Sequence, residues 1–133
     1  MTLLYVDDDA EDCEFFCEAL KEIDASIKFR TASNGCEALR SLNSIPDLPD
    51  YIFLDINMPL MDGKACLIEI KKNNNFKNIP VIMYSTTSDT NEIKEYYRLG
   101  AFDFLIKPNE FRKLCEDLTS IFIQLKREVR SVD

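Results

Sequence analysis

Short apolar runs alternate along the chain with longer stretches in which apolar residues return every three or four positions. Leu3-Leu4-Tyr5-Val6 is an apolar run closed by Asp7-Asp8-Asp9. After it, Ala10, Cys13, Phe16, Cys17, Leu20 and Ile23 recur at helical spacing. Asp9 is placed to cap that helix, and Glu11, Asp12 and Glu14 suit the positive end of its dipole. A second strand is read over Ile27–Thr31. Asn34-Gly35 marks a turn, and Ala38, Leu39 and Leu42 carry a short helix. Ser41–Asp50, with Pro46 and Pro49, reads as a loop. Tyr51-Ile52-Phe53-Leu54 is a fully apolar third strand that runs into Asp55.

Asn57–Gly63 reads as a loop, and the helix after it passes through Ala65 and Ile68 and ends at Asn73-Asn74-Asn75. Pro80 opens a fourth strand, Val81–Tyr84, where a strand start tolerates proline. Ser85-Thr86-Thr87-Ser88-Asp89 offers several caps for a helix through Ile93, Tyr96, Tyr97 and Leu99, with Gly100 as its stop. Phe102–Ile106 is the fifth strand, closed by Lys107-Pro108. The last helix repeats apolar residues at Phe111, Leu114, Cys115, Leu118, Ile121, Phe122, Leu125 and Val129. Five strands alternating with five helices predict an α/β fold, a parallel sheet covered on both faces.

Composition narrows the chemistry. The 133 residues are 46% hydrophobic and 30% charged, the balance of one globular domain. Sixteen Lys and Arg against 24 Asp and Glu give a net charge of −8, which argues against nucleic acid and anionic membrane surfaces as partners. Histidine is absent, so Ser-His-Asp and Cys-His catalysis, HExxH zinc sites and a phosphohistidine on this chain are excluded. The five cysteines match no CxxC pair, and no apolar run approaches a membrane span. The chain reads as a cytoplasmic protein with free thiols.

In an open parallel sheet the ligand site lies beyond the carboxyl ends of the strands. Asp7 and Asp8 follow the first strand, Asp55 the third, Ser85 and Thr86 the fourth, and Lys107 the fifth. If these ends meet, three carboxylates face hydroxyls and one ammonium. Such carboxylates need protons or a cation, and a hard divalent ion with oxygen ligands is the natural partner. The set suits phosphoryl transfer, with an Asp carboxylate as nucleophile and positive charge on the phosphoryl oxygens.

With these residues in place, the chain resembles the receiver domain of two-component response regulators, the CheY-like fold. The resemblance spans about residues 1–125. It rests on Leu4-Tyr5-Val6-Asp7-Asp8, Pro49–Asp55, Met58-Pro59-Leu60-Met61-Asp62-Gly63, Ile79–Met83, Gly100-Ala101 and Phe104-Leu105-Ile106-Lys107-Pro108. It implies a doubly wound, flavodoxin-like (βα)5 sheet of order 2-1-3-4-5. Asp55 is then the phosphoacceptor. Asp8 binds Mg²⁺ (or Mn²⁺) directly, Asp7 through water, and the Asn57 carbonyl completes the metal site with Asp55. Lys107 pairs with the phosphoryl group, and the Lys107–Pro108 bond is expected to be cis. Ser85, with Thr86 beside it, turns toward the phosphate, and Phe104 is the aromatic that swings inward.

The same resemblance implies a single receiver domain over 1–133 with no output domain, acting as a phospho-acceptor switch. The phosphoryl donor is a sensor histidine kinase or a phosphotransfer protein, and the effect passes to a downstream protein target. No catalysis is expected beyond the chain's own phosphorylation and dephosphorylation. Ile93, Tyr97 and Ile123 are interface candidates on the fourth helix, fifth strand and fifth helix, a face suited to homodimer formation. A phosphatase of the haloacid-dehalogenase kind would place a second Asp two residues after the nucleophile, where this chain has Asn57. A flavodoxin-like cofactor site would need hydroxyl and glycine donors after Val6, where there are three acids.

Overall fold

A computed structural model describes residues 1–44 and 46–132, with side chains through 128. Ten elements alternate along the chain: β1 (Thr2–Val6), α1 (Ala10–Ile23), β2 (Lys28–Ala32), α2 (Gly35–Ser44) and β3 (Tyr51–Leu54). They continue as α3 (Gly63–Lys72), β4 (Val81–Ser85), α4 (Thr90–Arg98), β5 (Asp103–Ile106) and α5 (Phe111–Val132). The strands form one sheet of order β2-β1-β3-β4-β5, all parallel, which is the expected CheY-like fold.

Strand alternation divides the core in two. Leu4, Val6, Ile52, Leu54, Val81 and Met83 face α2, α3 and α4 through Leu42, Leu67, Ile70 and Tyr96. Leu3, Tyr5, Phe53, Ile82 and Tyr84 face α1 and α5 through Phe16, Leu20, Leu114, Leu118 and Phe122. This is why Leu3–Val6, Tyr51–Leu54 and Val81–Tyr84 are unbroken apolar runs: each face of these strands meets helices. The α1 side is rich in aromatics. The Phe16 ring lies 4.4 Å from Tyr5, 4.9 Å from Phe53 and 5.4 Å from Tyr84. Val129 was read as part of the α5 stripe and lies outside the described side chains.

Helix starts follow the local chemistry. Asp9 caps α1, its Oδ1 accepting from the N–H groups of Glu11 and Asp12 at 2.9 and 3.1 Å. Asp62 and Asp89 do the same for α3 and α4. Among the hydroxyl-rich candidates before α4, Asp89 takes the cap.

Four expectations shift. β2 runs one residue later than read, because it pairs with β1 from Thr2↔Lys28 to Val6↔Ala32. Ser41–Ser44 is helix rather than loop: Leu42 is buried, and Asn43 and Ser44 donate to the carbonyls of Leu39 and Arg40. β4 extends through Ser85, and β5 starts at Asp103 rather than Phe102. No helix among the described residues is long and apolar enough to cross a membrane.

Candidate functional site

The site is built at the carboxyl rim of β1, β3 and β5, and its backbone is part of the sheet. Asp7 N–H donates to the Ala32 carbonyl at 3.0 Å and Asp55 N–H to the Val6 carbonyl at 2.9 Å. Lys107 N–H donates to the Ser85 carbonyl at 2.7 Å. Each functional residue stands one position past its strand yet remains bonded in the ladder. Its side chain therefore leaves a rigid base.

The loop after Asp55 folds back over the site. Gly63 N–H donates to the Ile56 carbonyl at 2.8 Å. A Cβ on Gly63 would lie 2.2 Å from the Asp55 carbonyl oxygen, so this position requires glycine. Leu60, at the tip of the turn, has φ of 67° and is 86% exposed.

One carboxylate oxygen each from Asp7, Asp8 and Asp55 lie within 4.8 Å of one another. Asp7 and Asp55 are buried and Asp8 is exposed. Lys107 Nζ sits among these acids, 2.9 Å from Asp7 Oδ2 and 3.4 Å from Asp55 Oδ1. It also lies 5.2 Å from the centre of the Tyr84 ring. Burial, then the charge of Asp7, push the Asp55 carboxyl up to about 6, while Lys107 pulls the other way. Burial alone would weaken the Lys107 ammonium, but hydrogen bonds to Asp12 and Asp7 and the nearby carboxylate charges outweigh it and raise its pKa.

Two participants were missed in the sequence. Tyr5 donates from its hydroxyl to Asp7 Oδ2 at 2.7 Å. Burial first, then the charge of Asp7 and this hydrogen bond, hold the phenol protonated. Asp12 Oδ2 lies 2.9 Å from Lys107 Nζ. The signals were periodic. Tyr5 and Asp7 are two apart on a strand and share a face. Asp12 precedes buried Phe16 by four, which places it on the sheet-facing side of α1.

The remaining candidates are spread along the rim and one face. Ser85 is buried, and its Oγ accepts from Thr87 N–H at 3.3 Å rather than reaching Asp55. Thr86 and Asn57 are exposed in their loops. Phe104 is half-buried against Tyr96, ring centres 5.8 Å apart. Tyr97 is 44% exposed, and its hydroxyl donates to Asp103 Oδ1 at 2.8 Å and accepts from Phe104 N–H at 3.1 Å. Ile93 is half-buried.

One expectation from the sequence needs correction. There is no cis peptide among the described residues, so Lys107–Pro108 is trans, the form an X–Pro bond ordinarily prefers by about 0.5–1 kcal/mol. Ile123 is exposed, as expected, and lines a cleft with Met1, Ile23 and Ile27.

The acidic rim, the lysine and the strand order together define a CheY-like signalling module. Residues 3–119 match the response regulator receiver domain, and the chain belongs to that family. It is 34% identical over 131 residues to a protein-glutamate methylesterase/protein-glutamine glutaminase of Methanococcoides burtonii, covering 97% of this chain and 35% of that protein. It is 32% identical over 106 residues to the sensor histidine kinase CheAY of Helicobacter pylori, covering 80% of this chain and 13% of that protein. The chain thus spans about a third or less of the length of these curated relatives.

Among solved structures, the phosphorylated cyanobacterial phytochrome response regulator RcpA superposes with a TM-score of 0.82 at 29% identity, covering 90% of this chain and 89% of that one. The Mn(2+)-bound response regulator Rcp1 superposes with a TM-score of 0.80 at 27% identity, covering 90% of each chain. The chain is thus a receiver domain of the two-component response regulator kind.

Proposed function

We propose that the chain accepts a phosphoryl group on Asp55 from a sensor histidine kinase or a phosphotransfer protein. The observation that carries this reading is the buried Asp55 carboxylate, with Lys107 Nζ at 3.4 Å and oxygens of Asp7 and Asp8 within 4.8 Å. An Asp55 oxygen attacks phosphorus, and the bond from phosphorus to the donor's imidazole nitrogen breaks, leaving its electron pair on that nitrogen. Lys107 supplies positive charge to the transferred oxygens, and Ser85 and Thr86 supply hydroxyl donors.

The donor set fits a hard divalent ion: three carboxylates converge, two of them buried, with one lysine for partial neutralisation. Asp7, Asp8, Asp55 and the Asn57 carbonyl would hold Mg²⁺ or Mn²⁺. Bound there, the ion supplies charge that neutralises phosphoryl oxygens.

Phosphorylation would draw Ser85 toward the new group and open space for Phe104. The face of α4, β5 and α5, with Ile93 and Tyr97, would then present a changed surface to a downstream protein or a second copy. Intact mass after incubation with Mg²⁺ and acetyl phosphate tests the reading. One phosphoryl group is expected, and none in Asp55→Asn. A mass gain that survives Asp55→Asn would refute the assignment.

A further inference from the structure

We infer that Asp12 is a positioning residue for Lys107: its carboxylate holds the ammonium on the α1 side of the site and gives it up when Lys107 turns a second donor to a phosphoryl group on Asp55. This rests on the phospho-acceptor reading above and extends it to a residue that reading does not use.

An ammonium has three N–H donors. Asp7 Oδ2 and Asp12 Oδ2 stand 2.9 Å from Lys107 Nζ, and Asp55 Oδ1 stands at 3.4 Å. Two of the donors are therefore taken by hydrogen bonds to Asp7 and Asp12, and Asp55 Oδ1 stands at the longer, ion-pair distance. A phosphoryl group brings negative charge and three acceptor oxygens. Lys107 can turn more than one donor to them only by giving up a partner.

The exposures decide which partner goes. The Asp7 side chain is fully buried, so water cannot take the ammonium's place there. The Asp12 side chain is 41% exposed, so water replaces the ammonium there at little cost. The Asp12 bond is the one that breaks. Asp12 is well placed to form it again: its N–H is fixed by Asp9 Oδ1 at 3.1 Å, in the first turn of α1. The pair belongs to the unphosphorylated state and biases the switch toward it.

Beryllium fluoride, a phosphoryl stand-in, is the probe. It is titrated by calorimetry into the full chain at saturating Mg²⁺, so that differences in metal affinity do not enter. Asp12→Asn is expected to bind it about threefold more tightly than the unaltered chain, the worth of a partly exposed ion pair. Asp12→Glu, which restores the charge, is expected to return the affinity to the unaltered value. Glu11→Gln removes the same charge next door, from an exposed side chain that is not among the three carboxylates around Lys107. It is expected to change the affinity by less than about 1.5-fold.

Equal tightening in Glu11→Gln and Asp12→Asn would reduce the effect to net charge and overturn the assignment. Unchanged or weaker binding in Asp12→Asn would overturn it too. An unaltered chain that takes up no beryllium fluoride would overturn the phospho-acceptor reading itself, and this inference with it.

Discussion

Replacing Asp55 by Asn should stabilise the fold, and by an amount that depends on pH in a defined direction. Burial and the neighbouring Asp7 hold the Asp55 carboxyl at about 6 in the folded chain. An unfolded Asp titrates near 3.9. The folded chain therefore binds this proton more tightly, and Asp55 favours folding most below about pH 4. That contribution is lost as pH rises from about 4 to about 6. Above that interval the ionised carboxylate is a standing cost. Two pH units at about 1.36 kcal/mol each give about 3 kcal/mol as a ceiling. Asn is a poorer acceptor than a carboxylate for Lys107, which lowers the expected gain at pH 7.5 to about 2 kcal/mol.

The assay is urea unfolding of both forms between pH 4 and pH 8, with EDTA present because a bound cation would stabilise the native Asp55 form by mass action. For a domain of this size, about 2 kcal/mol is also about 6 °C in melting temperature. The advantage of Asp55→Asn should be full near pH 7.5 and shrink toward zero near pH 4. A difference that is flat with pH, or that grows as pH falls, would refute the account of Asp55 as a carboxylate destabilised by burial and by Asp7.

Two further substitutions probe how the site is held. Gly63→Ala puts a Cβ 2.2 Å from the Asp55 carbonyl oxygen, so backbone must move; a loss of about 3 kcal/mol or more is expected in urea unfolding, with displaced amide shifts at Asp55 and Ile56. Asp9→Ala removes the acceptor for two N–H groups at the start of α1 and should cost about 1 kcal/mol, read from the same unfolding curves.

Much of this molecule was legible in the chain because its strongest signals are periodic. The apolar runs Leu3–Val6, Tyr51–Leu54 and Val81–Tyr84 read as strands covered on both faces, and they are. The rule that ligands collect at strand carboxyl ends then placed Asp7, Asp55 and Lys107 together, and the side chains meet there. The end of α2 was missed because Pro46 and Pro49 marked the whole of Ser41–Asp50 as loop; tertiary burial of Leu42 and two side-chain bonds from Asn43 and Ser44 to carbonyls carry the helix further. Tyr5 and Asp12 were missed as participants for a related reason. Their residue types fit a bland role, a strand aromatic and a first-turn acid. Only the three-dimensional approach of α1 to β5 turns Asp12 into a partner of Lys107, across 95 residues of chain.

The distribution of rigid and replaceable contacts suggests how such a rim can both fix chemistry and transmit it. Asp7, Asp55 and Lys107 share backbone bonds with neighbouring strands, so a charge added at Asp55 has little freedom to be absorbed there. The contacts around Ser85 are weaker. Its Oγ accepts from Thr87 N–H at 3.3 Å, and Thr87 in turn donates from its hydroxyl to Glu92 in the first turn of α4. A Ser85 hydroxyl that turns toward a phosphoryl group gives up the Thr87 bond, and the loop before α4 loses one of its anchors. At the far end of the same helix, Tyr97 is tied to Asp103 and to the Phe104 N–H. The helix is thus tied at both ends by side-chain hydrogen bonds, each worth about 1 kcal/mol, while the carboxylates are held by the sheet. On the phospho-acceptor reading, a charge introduced at the rigid end would move what is cheaply moved, and that is α4 against the edge strand β5.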